Sequence, residues 1–597
     1  VTTTRDGRRP GDLGDGSRAV LVVGASAAGL GCACRLARLK PRWQVTVVEQ
    51  SPVFSYAACG LPYVLSGDVE DLASLRKTAY GALRDQRYFA EEKGVAVLAG
   101  WRATGVRVAE GLLRIEGADG ERQLKWDELV LAVGARARRL PGQPAHPRVR
   151  TFHRWEDVDE LKGGLARDEI RTVAVIGAGP LGCELAEAFR ELWAAEVCLV
   201  EAAGAPLPGL LDPELGACVA RHLEEQGVRL LTDCPVELLQ ADDSGVTIRA
   251  GADEVRVDVC VVAIGVEPDV ELARRAGVRL GETGAIAVDE QLRTSVPHVW
   301  AVGDCVEVRD AASGRGLYRP LGSLARRQGR TLANILGGRA DRFPPVAGAS
   351  AVKAFAFNIA AVGTTEERAR ARGMAVRCSW VTVDDRPHYW PESAKIHLKL
   401  VYDPASQRVL GVQAVGSGDV VRRVDVATQL ILRGATVAEL AQIEHAYSPA
   451  YAPAVDPLAV AAFAAQNQED GVEAEPPLSP LVEVTDLRLP EERRSRPARA
   501  VVVHEVALSG LRSSPEARLQ AEGTVVCERG GRSAEAVRLL RGAGHHTRYL
   551  GGGLLWREAA ERKKARTRGR ATPIEGDPDD GVPAGAEERP AGKRRSR

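Results

Sequence analysis

No run of about 18 apolar residues occurs in the chain, which leaves it without a candidate membrane-spanning helix. Val1 to Ser17 are polar and glycine-rich and lack the apolar segment of a secretory signal. Charge of one sign is not in excess, since 80 Lys and Arg face 80 Asp and Glu. A general electrostatic attraction to nucleic acid or to an anionic membrane is therefore not expected. The 11 cysteines are an odd count with no Cys-x-x-Cys pair, and no His-Glu-x-x-His occurs. That argues against a disulfide framework and against a zinc site, so no metal is expected and a reduced, cytoplasmic protein is.

What is present is alternation. From Arg18 onward, apolar strands alternate with amphipathic helices, the pattern of a parallel α/β sheet. From about Ala347 to Gln466 the texture changes to an α+β domain, with strands expected at Ile396–Val401 and Val409–Val415 and a helix at Asp419–Gly434. Residues 467–480 are acidic and proline-rich and read as a linker. A small domain follows at 481–558. Residues 1–17 and 559–597 read as disordered tails, the second with basic runs at Arg562–Lys564 and Lys593–Arg595 that need be no more than solvated charge.

Two glycine-rich turns each join an apolar strand to a helix. In the first, Gly24 permits the tight turn, Ser26 lets a pyrophosphate approach the backbone, and Gly29 allows helix and strand to pack closely. The next strand, Gln44–Val48, ends in Glu49, where an acceptor for a ribose hydroxyl belongs. The second turn repeats the design with Gly177, Gly179 and Gly182, and its strand Glu196–Val200 ends in Glu201. A carboxylate there accepts from a 2′-hydroxyl and repels a 2′-phosphate, which favours NADH over NADPH. Two complete fingerprints in one chain call for two cofactors, a flavin (FAD) and a nicotinamide.

With these turns, three further segments resemble the pyridine nucleotide–disulfide oxidoreductases. Leu129–Ala135, with Gly134, resembles the strand returning to the FAD domain. Val262–Pro268, with Gly265, resembles the end of the NAD insertion. Val299–Asp304 resembles the second flavin motif, with Gly303 and a ribityl-binding aspartate at Asp304. The resemblance implies an FAD domain at 18–150 and 276–346, an NAD domain at 151–275 and a dimerisation domain at 347–466. Within the family, Ser55-Tyr56-Ala-Ala-Cys59-Gly60-Leu61-Pro62-Tyr63 is similar to the coenzyme A-disulfide reductases and related NADH oxidases, which use one cysteine. The resemblance implies Cys59 as redox centre, Ser55 and Arg38 as substrate-binding residues, and Tyr389 and Tyr447, from the partner subunit of a homodimer, as acids for the leaving thiolate. A helix N-terminus or a cation is expected to lower the pKa of Cys59. Packing is expected for Cys32, Cys34, Cys183, Cys198, Cys218 and Cys260.

The resemblance departs at Ala58, Tyr88, Arg326 and Val455, where the relatives carry asparagine, lysine, asparagine and lysine for the nucleotide part of coenzyme A. Arg87 and Arg326 are candidates to restore that charge. Near the C-terminus, Thr524–Ser533 resembles the active loop of rhodanese domains, with Cys527 ringed by backbone N–H groups, Arg532 adding charge and a helix following at Ala534–Leu540. The expected activity is NADH-driven reduction of a small-molecule disulfide or persulfide at Cys59, with sulfane sulfur handled at Cys527. The alternatives are an NADH oxidase or peroxidase cycling through a sulfenic acid, and a non-catalytic redox sensor or sulfur carrier.

Overall fold

The computed structural model describes residues 17–498, 500–513 and 523–561. The tails expected before Ser17 and after Glu561, with their basic runs, lie outside the described residues.

Valine-rich runs form the centres of two parallel sheets, because β-branched side chains fit strands covered on both faces. The first sheet orders Val299–Ala301, Glu128–Leu131, Ala19–Val23, Gln44–Glu49 and Ala96–Ala99. The second orders Arg229–Leu231, Glu196–Val200, Thr172–Ile176, Val259–Val262 and Val149–Thr151. Each unit also carries a three-stranded antiparallel meander, Arg102–Lys125 in the first and Val236–Val257 in the second. The registers match too: Val23 stands beside Val48, and Ile176 beside Val200.

The crossings between these units fall earlier than the sequence predicts. Val149–Thr151 pairs with Cys260–Val262, so the second unit takes chain from before residue 151. Val270, Leu272, Ala273 and Ala276 are buried in the first unit's core, so the return begins before residue 276. In both places a short element is claimed by the sheet or core it packs against rather than by its place in the chain.

The third unit is α+β, as expected: a five-stranded antiparallel sheet in the order Ser350–Ala354, Phe357–Gly363, Val409–Gly416, Lys395–Tyr402, Arg377–Asp384. Helices Val421–Leu432 and Pro457–Glu469 cover it. The C-terminal unit is a five-stranded parallel sheet in the order Ala474–Glu475, Arg548–Leu550, Thr524–Val526, Glu483–Asp486, Val501–Glu505. Residues 467–480 are therefore not simply a linker. They hold a helix end and an edge strand, and Val472 is buried in the C-terminal core.

This last unit is seated on the others. Trp556, on helix Gly553–Ala560, is fully buried in a core shared with helix Pro213–Glu225 and the third unit's sheet. Its Nε1 donates to the Glu214 carbonyl at 3.3 Å, and its ring lies 5.2 Å from that of His397. Gly552 N–H donates to the Trp380 carbonyl at 3.0 Å, and Thr382 Oγ1 to the Gly552 carbonyl at 2.7 Å. Beneath this junction the buried Lys399 ammonium meets Asp212, Glu214 and Glu366 at 2.9, 2.7 and 2.7 Å. Among the described residues no helix is long and apolar enough to cross a membrane.

Candidate active site

The first sheet opens on a cleft of about 1150 Å³ that reaches from Gly24, Ser26 and Glu49 past Gly134 to Ser55, Ala58 and Asp304. Gly24 has φ +110°, and a Cβ there would collide with the Ala132 carbonyl; one on Gly29 would collide with the Gly24 carbonyl. The turn is thus built for backbone contact with a ligand and for close helix packing. Glu49 accepts from Ala25 N at 2.8 Å and Ser51 N at 2.9 Å. Gly303 N donates to Gln328 at 2.6 Å, fixing the strand end before Asp304. Burial alone holds the Asp304 carboxyl up at about 6, the environment of a group that awaits hydroxyl donors. These features fit the phosphates and polyol chain of FAD.

The second turn is a near copy. Gly177 has φ +102°, and a Cβ on Gly182 would collide with the Gly177 carbonyl. Glu201, buried, accepts from Ala178 N at 2.8 Å and Ala203 N at 2.9 Å. A Cβ on Gly179 or Gly265 would meet nothing, so both border open space where a dinucleotide fits.

Cys59 lies where the first cleft ends. The chain reaches it through Ser55, whose φ of +58° is unusual for a residue with a side chain. Ala58–Gly60 form one 3₁₀ turn that runs into helix Leu61–Leu65. Cys59 is exposed, and its Sγ lies 3.7 Å from where a Cβ on Gly322, the first residue of helix Gly322–Leu336, would stand. The expected helix terminus is therefore present, but a lowered pKa is not. Burial of the sulfur, then the carboxylates of Glu184 and Asp304, push the thiol up, offset in part by its own backbone N–H. Cys183, Cys198, Cys218 and Cys260 are buried in helices or strands, and all eleven cysteines are unpaired.

Around the half-buried Cys34 stand Arg38, Lys93 and Arg326, and Arg84 is close to Arg326. Arg84 donates to the carbonyls of Leu75 and Arg76, on the segment that packs against Gly60. Among the described residues, none of these four cations forms a salt bridge, whereas Arg87 pairs with Glu91 at 3.0 Å. Arg326 thus stands beside Cys34, while Arg87 is paired on the surface. Arg84 and Lys93 escaped the sequence, where nothing but their basicity near Tyr88 singled them out. Lys93 Nζ lies 4.8 Å from the centre of the Tyr88 ring.

Tyr389 and Tyr447 are exposed and line a chamber of about 570 Å³ that also holds Val455. Its opposite wall is Arg529, Gly530 and Gly531 of the Cys527 loop, and Cys59 is not among its walls. Cys527 is buried, and its sulfur accepts the Gly530 N–H at 3.2 Å before helix Gly531–Gly542 begins. Arg532 is held by Glu492 at 2.5 and 2.8 Å, and Arg529 by Asp384 at 2.6 Å.

Two dinucleotide-binding turns in one chain, with an accessible cysteine next to Ala58 at the end of the first cleft, define an oxidoreductase built for a flavin and a nicotinamide. The chain belongs to the pyridine nucleotide-disulphide oxidoreductase family, whose model matches residues 18–327 and whose dimerisation-domain model matches residues 349–459. The family uses FAD and NAD(P)H. The chain is 32% identical over 450 residues to the NAD(P)H sulfur oxidoreductase (CoA-dependent) of Pyrococcus abyssi, covering 74% of this chain and 97% of that one. It is similar to the structure of a NAD-dependent persulfide reductase from A. fulgidus, with a TM-score of 0.86, 36% identity and coverage of 90% and 99% of the two chains. It is also similar to reduced Bacillus anthracis CoADR-RHD, with a TM-score of 0.84, 28% identity and coverage of 91% and 98%. The two structural matches thus reach beyond the share covered by the Pyrococcus protein.

Proposed function

We propose that this chain is an NADH-dependent reductase of sulfur–sulfur bonds that acts on the disulfide or persulfide of a nucleotide-bearing thiol of the coenzyme A type. The observation that carries this reading is Cys59, an exposed residue beside the end of the first cleft whose sulfur faces the first turn of helix Gly322–Leu336. When bound, FAD and NADH supply the two electrons. Cys59 attacks the substrate and forms Cys59–S–S–R, and two electrons then cleave that bond. For a persulfide the balance is NADH + H⁺ + R–S–SH → NAD⁺ + R–SH + H₂S.

Four cations that form no salt bridge among the described residues support a phosphate-bearing thiol: Arg38, Arg84, Lys93 and Arg326, the last one turn along the helix from Gly322. Glu201 supports NADH, because a 2′-phosphate would place charge beside a carboxylate. Homodimer formation would bring Tyr389 and Tyr447 of one subunit to Cys59 of the other, where they would protonate the leaving thiolate. Unpaired cysteines throughout suit the reducing cytoplasm. The C-terminal unit is read as rhodanese-like, with Cys527 holding sulfane sulfur beside the chamber that Tyr389 and Tyr447 share.

The test is a steady-state NADH assay with coenzyme A disulfide, coenzyme A persulfide, glutathione persulfide and polysulfide, repeated with Cys59→Ser and Cys527→Ser. The expected result is fastest turnover with a coenzyme A substrate and none in Cys59→Ser. NADH consumption with oxygen alone would refute the proposal.

A further inference from the structure

An attacking sulfur must be held in one place, and Cys59 sits in the middle of a single 3₁₀ turn, Ala58–Gly60. The turn closes on a bond from Gly60 N to the Ala57 carbonyl at 2.8 Å. Further support comes from Leu75, which meets the turn at both ends. Its carbonyl accepts from Ala57 N at 3.1 Å, and its side chain lies so near Gly60 that a Cβ there would stand 2.5 Å from Leu75 Cδ2. Leu75 is itself buried, in a core shared with Leu61, Val64 and Leu65 of the helix that follows Cys59.

One side chain holds the backbone of Leu75 in turn. Residues 77–83 fold back on themselves, with Lys77 bridged to Leu83 and Thr78 N bonded to the Ala82 carbonyl at 2.9 Å. This returns Arg84 to the end of the Leu72–Arg76 turn. Arg84 Nη2 donates to the Leu75 carbonyl at 2.7 Å, and Nε donates to the Arg76 carbonyl at 3.0 Å. The planar guanidinium fork spans two successive carbonyls, which a compact ammonium does not. The Leu75 carbonyl, with two lone pairs, takes Ala57 N and Arg84 together.

From this arrangement we infer that Arg84 is a positioning residue for Cys59: by clamping the Leu75 carbonyl it holds the turn Ala57–Gly60, and with it the sulfur, in register against helix Gly322–Leu336. The inference rests on the reading of Cys59 as the attacking sulfur. It gives Arg84 a part distinct from that of Arg38, Lys93 and Arg326. Arg84 adds charge to their patch, but two of its N–H groups are committed to backbone that supports the Cys59 turn. A phosphate ligand acts on substrate binding. A clamp on the reacting sulfur acts on the chemical step, because attack and bond cleavage need a defined alignment.

The test uses the FAD-loaded full chain with two variants. Arg84→Met keeps the apolar stem and removes both donors, and Arg84→Lys keeps the charge and can hold one carbonyl. The step read is oxidation of the NADH-reduced enzyme by glutathione persulfide, which carries no phosphate, in rapid mixing. Its limiting rate is expected to fall about tenfold in Arg84→Met and about threefold in Arg84→Lys, and the persulfide concentration giving half that rate stays within about twofold. Two readouts stay where they were. Alkylation of Cys59 by iodoacetamide, read at the peptide level without sulfur substrate, keeps its rate, because the carboxylates of Glu184 and Asp304 that act on the sulfur are untouched. Flavin reduction by NADH also keeps its rate, since it comes before Cys59 takes part. General loosening of the fold would move all three. A limiting rate that holds in Arg84→Met overturns the inference, and so does flavin reduction that slows in step with it. Either outcome leaves the proposed function standing, which fails instead if Cys59→Ser keeps full activity.

Discussion

The molecule places two cysteines in similar local settings and surrounds them oppositely. Cys59 and Cys527 each precede a helix and lie beside a glycine: Gly60 admits the Leu75 side chain, and Gly530 the backbone of Gly552. Cys59 is exposed and its nearest charges, Glu184 and Asp304, are negative. Cys527 is 1% exposed, with an amide donor on its sulfur and Arg532 and Arg529 held in place by Glu492 and Asp384. Carboxylates beside a sulfur make standing negative charge costly, which suits a group that gains and loses a proton with each pair of electrons. Cys527 instead has one amide donor on its sulfur and two arginines beside its loop, each already paired with a carboxylate. The difference is what the proposed division of labour, with reduction at Cys59 and sulfur storage at Cys527, would require.

The sharpest way to break this comparison is to remove one sulfur at a time. Cys59→Ser is expected to lower NADH turnover by about 10⁴-fold or more with every sulfur substrate, since no other group can take its place. Cys527→Ser is expected to leave turnover of a preformed persulfide intact while abolishing sulfur transfer from a sulfane donor. NADH absorbance and sulfide release, followed together, distinguish these outcomes. Loss of NADH turnover with a preformed persulfide in Cys527→Ser would merge the two sites into one.

Next in size is the seat of the C-terminal unit. Trp556→Ala leaves a cavity in a core shared by three units and is expected to cost about 3–5 kcal/mol of local stability. Limited proteolysis should then release the C-terminal unit, while Cys59 keeps its activity on a preformed persulfide. Equal loss at both cysteines would show that the seat also supports the reductase.

These contrasts were unevenly legible in the sequence. Gly24 with Glu49 and Gly177 with Glu201 could be read because backbone sterics and strand length bound their spacing, and both units repeat the bond from the turn's amide to the strand-end carboxylate. Cys59 could be read from the turn around it. Long-range side-chain meetings could not. The Trp556–Glu214 contact joins residues 342 apart, and Tyr63–Glu184 joins residues 121 apart, so each depends on how finished domains pack. Ala474–Glu475 was hidden for another reason, since a two-residue edge strand carries no period of its own. The pairing of Arg87 with Glu91, one turn on, is by contrast a local feature that helix spacing makes visible.

Smaller again is the expected effect at the patch around Cys34. Arg326→Ala removes one charge-assisted contact to a phosphate and should raise KM for a coenzyme A persulfide about tenfold, with kcat held. The same substitution should leave KM for glutathione persulfide unchanged, because that thiol carries no phosphate. A parallel rise for both thiols would move the patch out of substrate recognition.

The smallest expected effect tests whether the two cysteine sites are fastened to each other. Asp384, at the end of strand Arg377–Asp384, holds Arg529 of the Cys527 loop at 2.6 Å and Lys395 at 3.1 Å. Burial alone would raise its pKa, but Arg529 and Lys395 outweigh that and hold it below the usual carboxylate range. A depressed carboxylate contributes stability above its unfolded pKa of about 3.9 and loses it as pH falls through the lower folded value. Arg529 is 42% exposed, so the pair is screened and is worth about 0.5–1 kcal/mol at most. Asp384→Asn should therefore slow sulfur transfer at Cys527 by about two- to fivefold and leave Cys59 alkylation and persulfide reduction where they were. Added salt should reproduce the same small loss in the wild-type chain and do little more in the variant. If the variant instead slows both cysteines equally, Asp384 serves the fold of the third unit, and the loop around Cys527 is positioned by Trp556 and Gly552 alone.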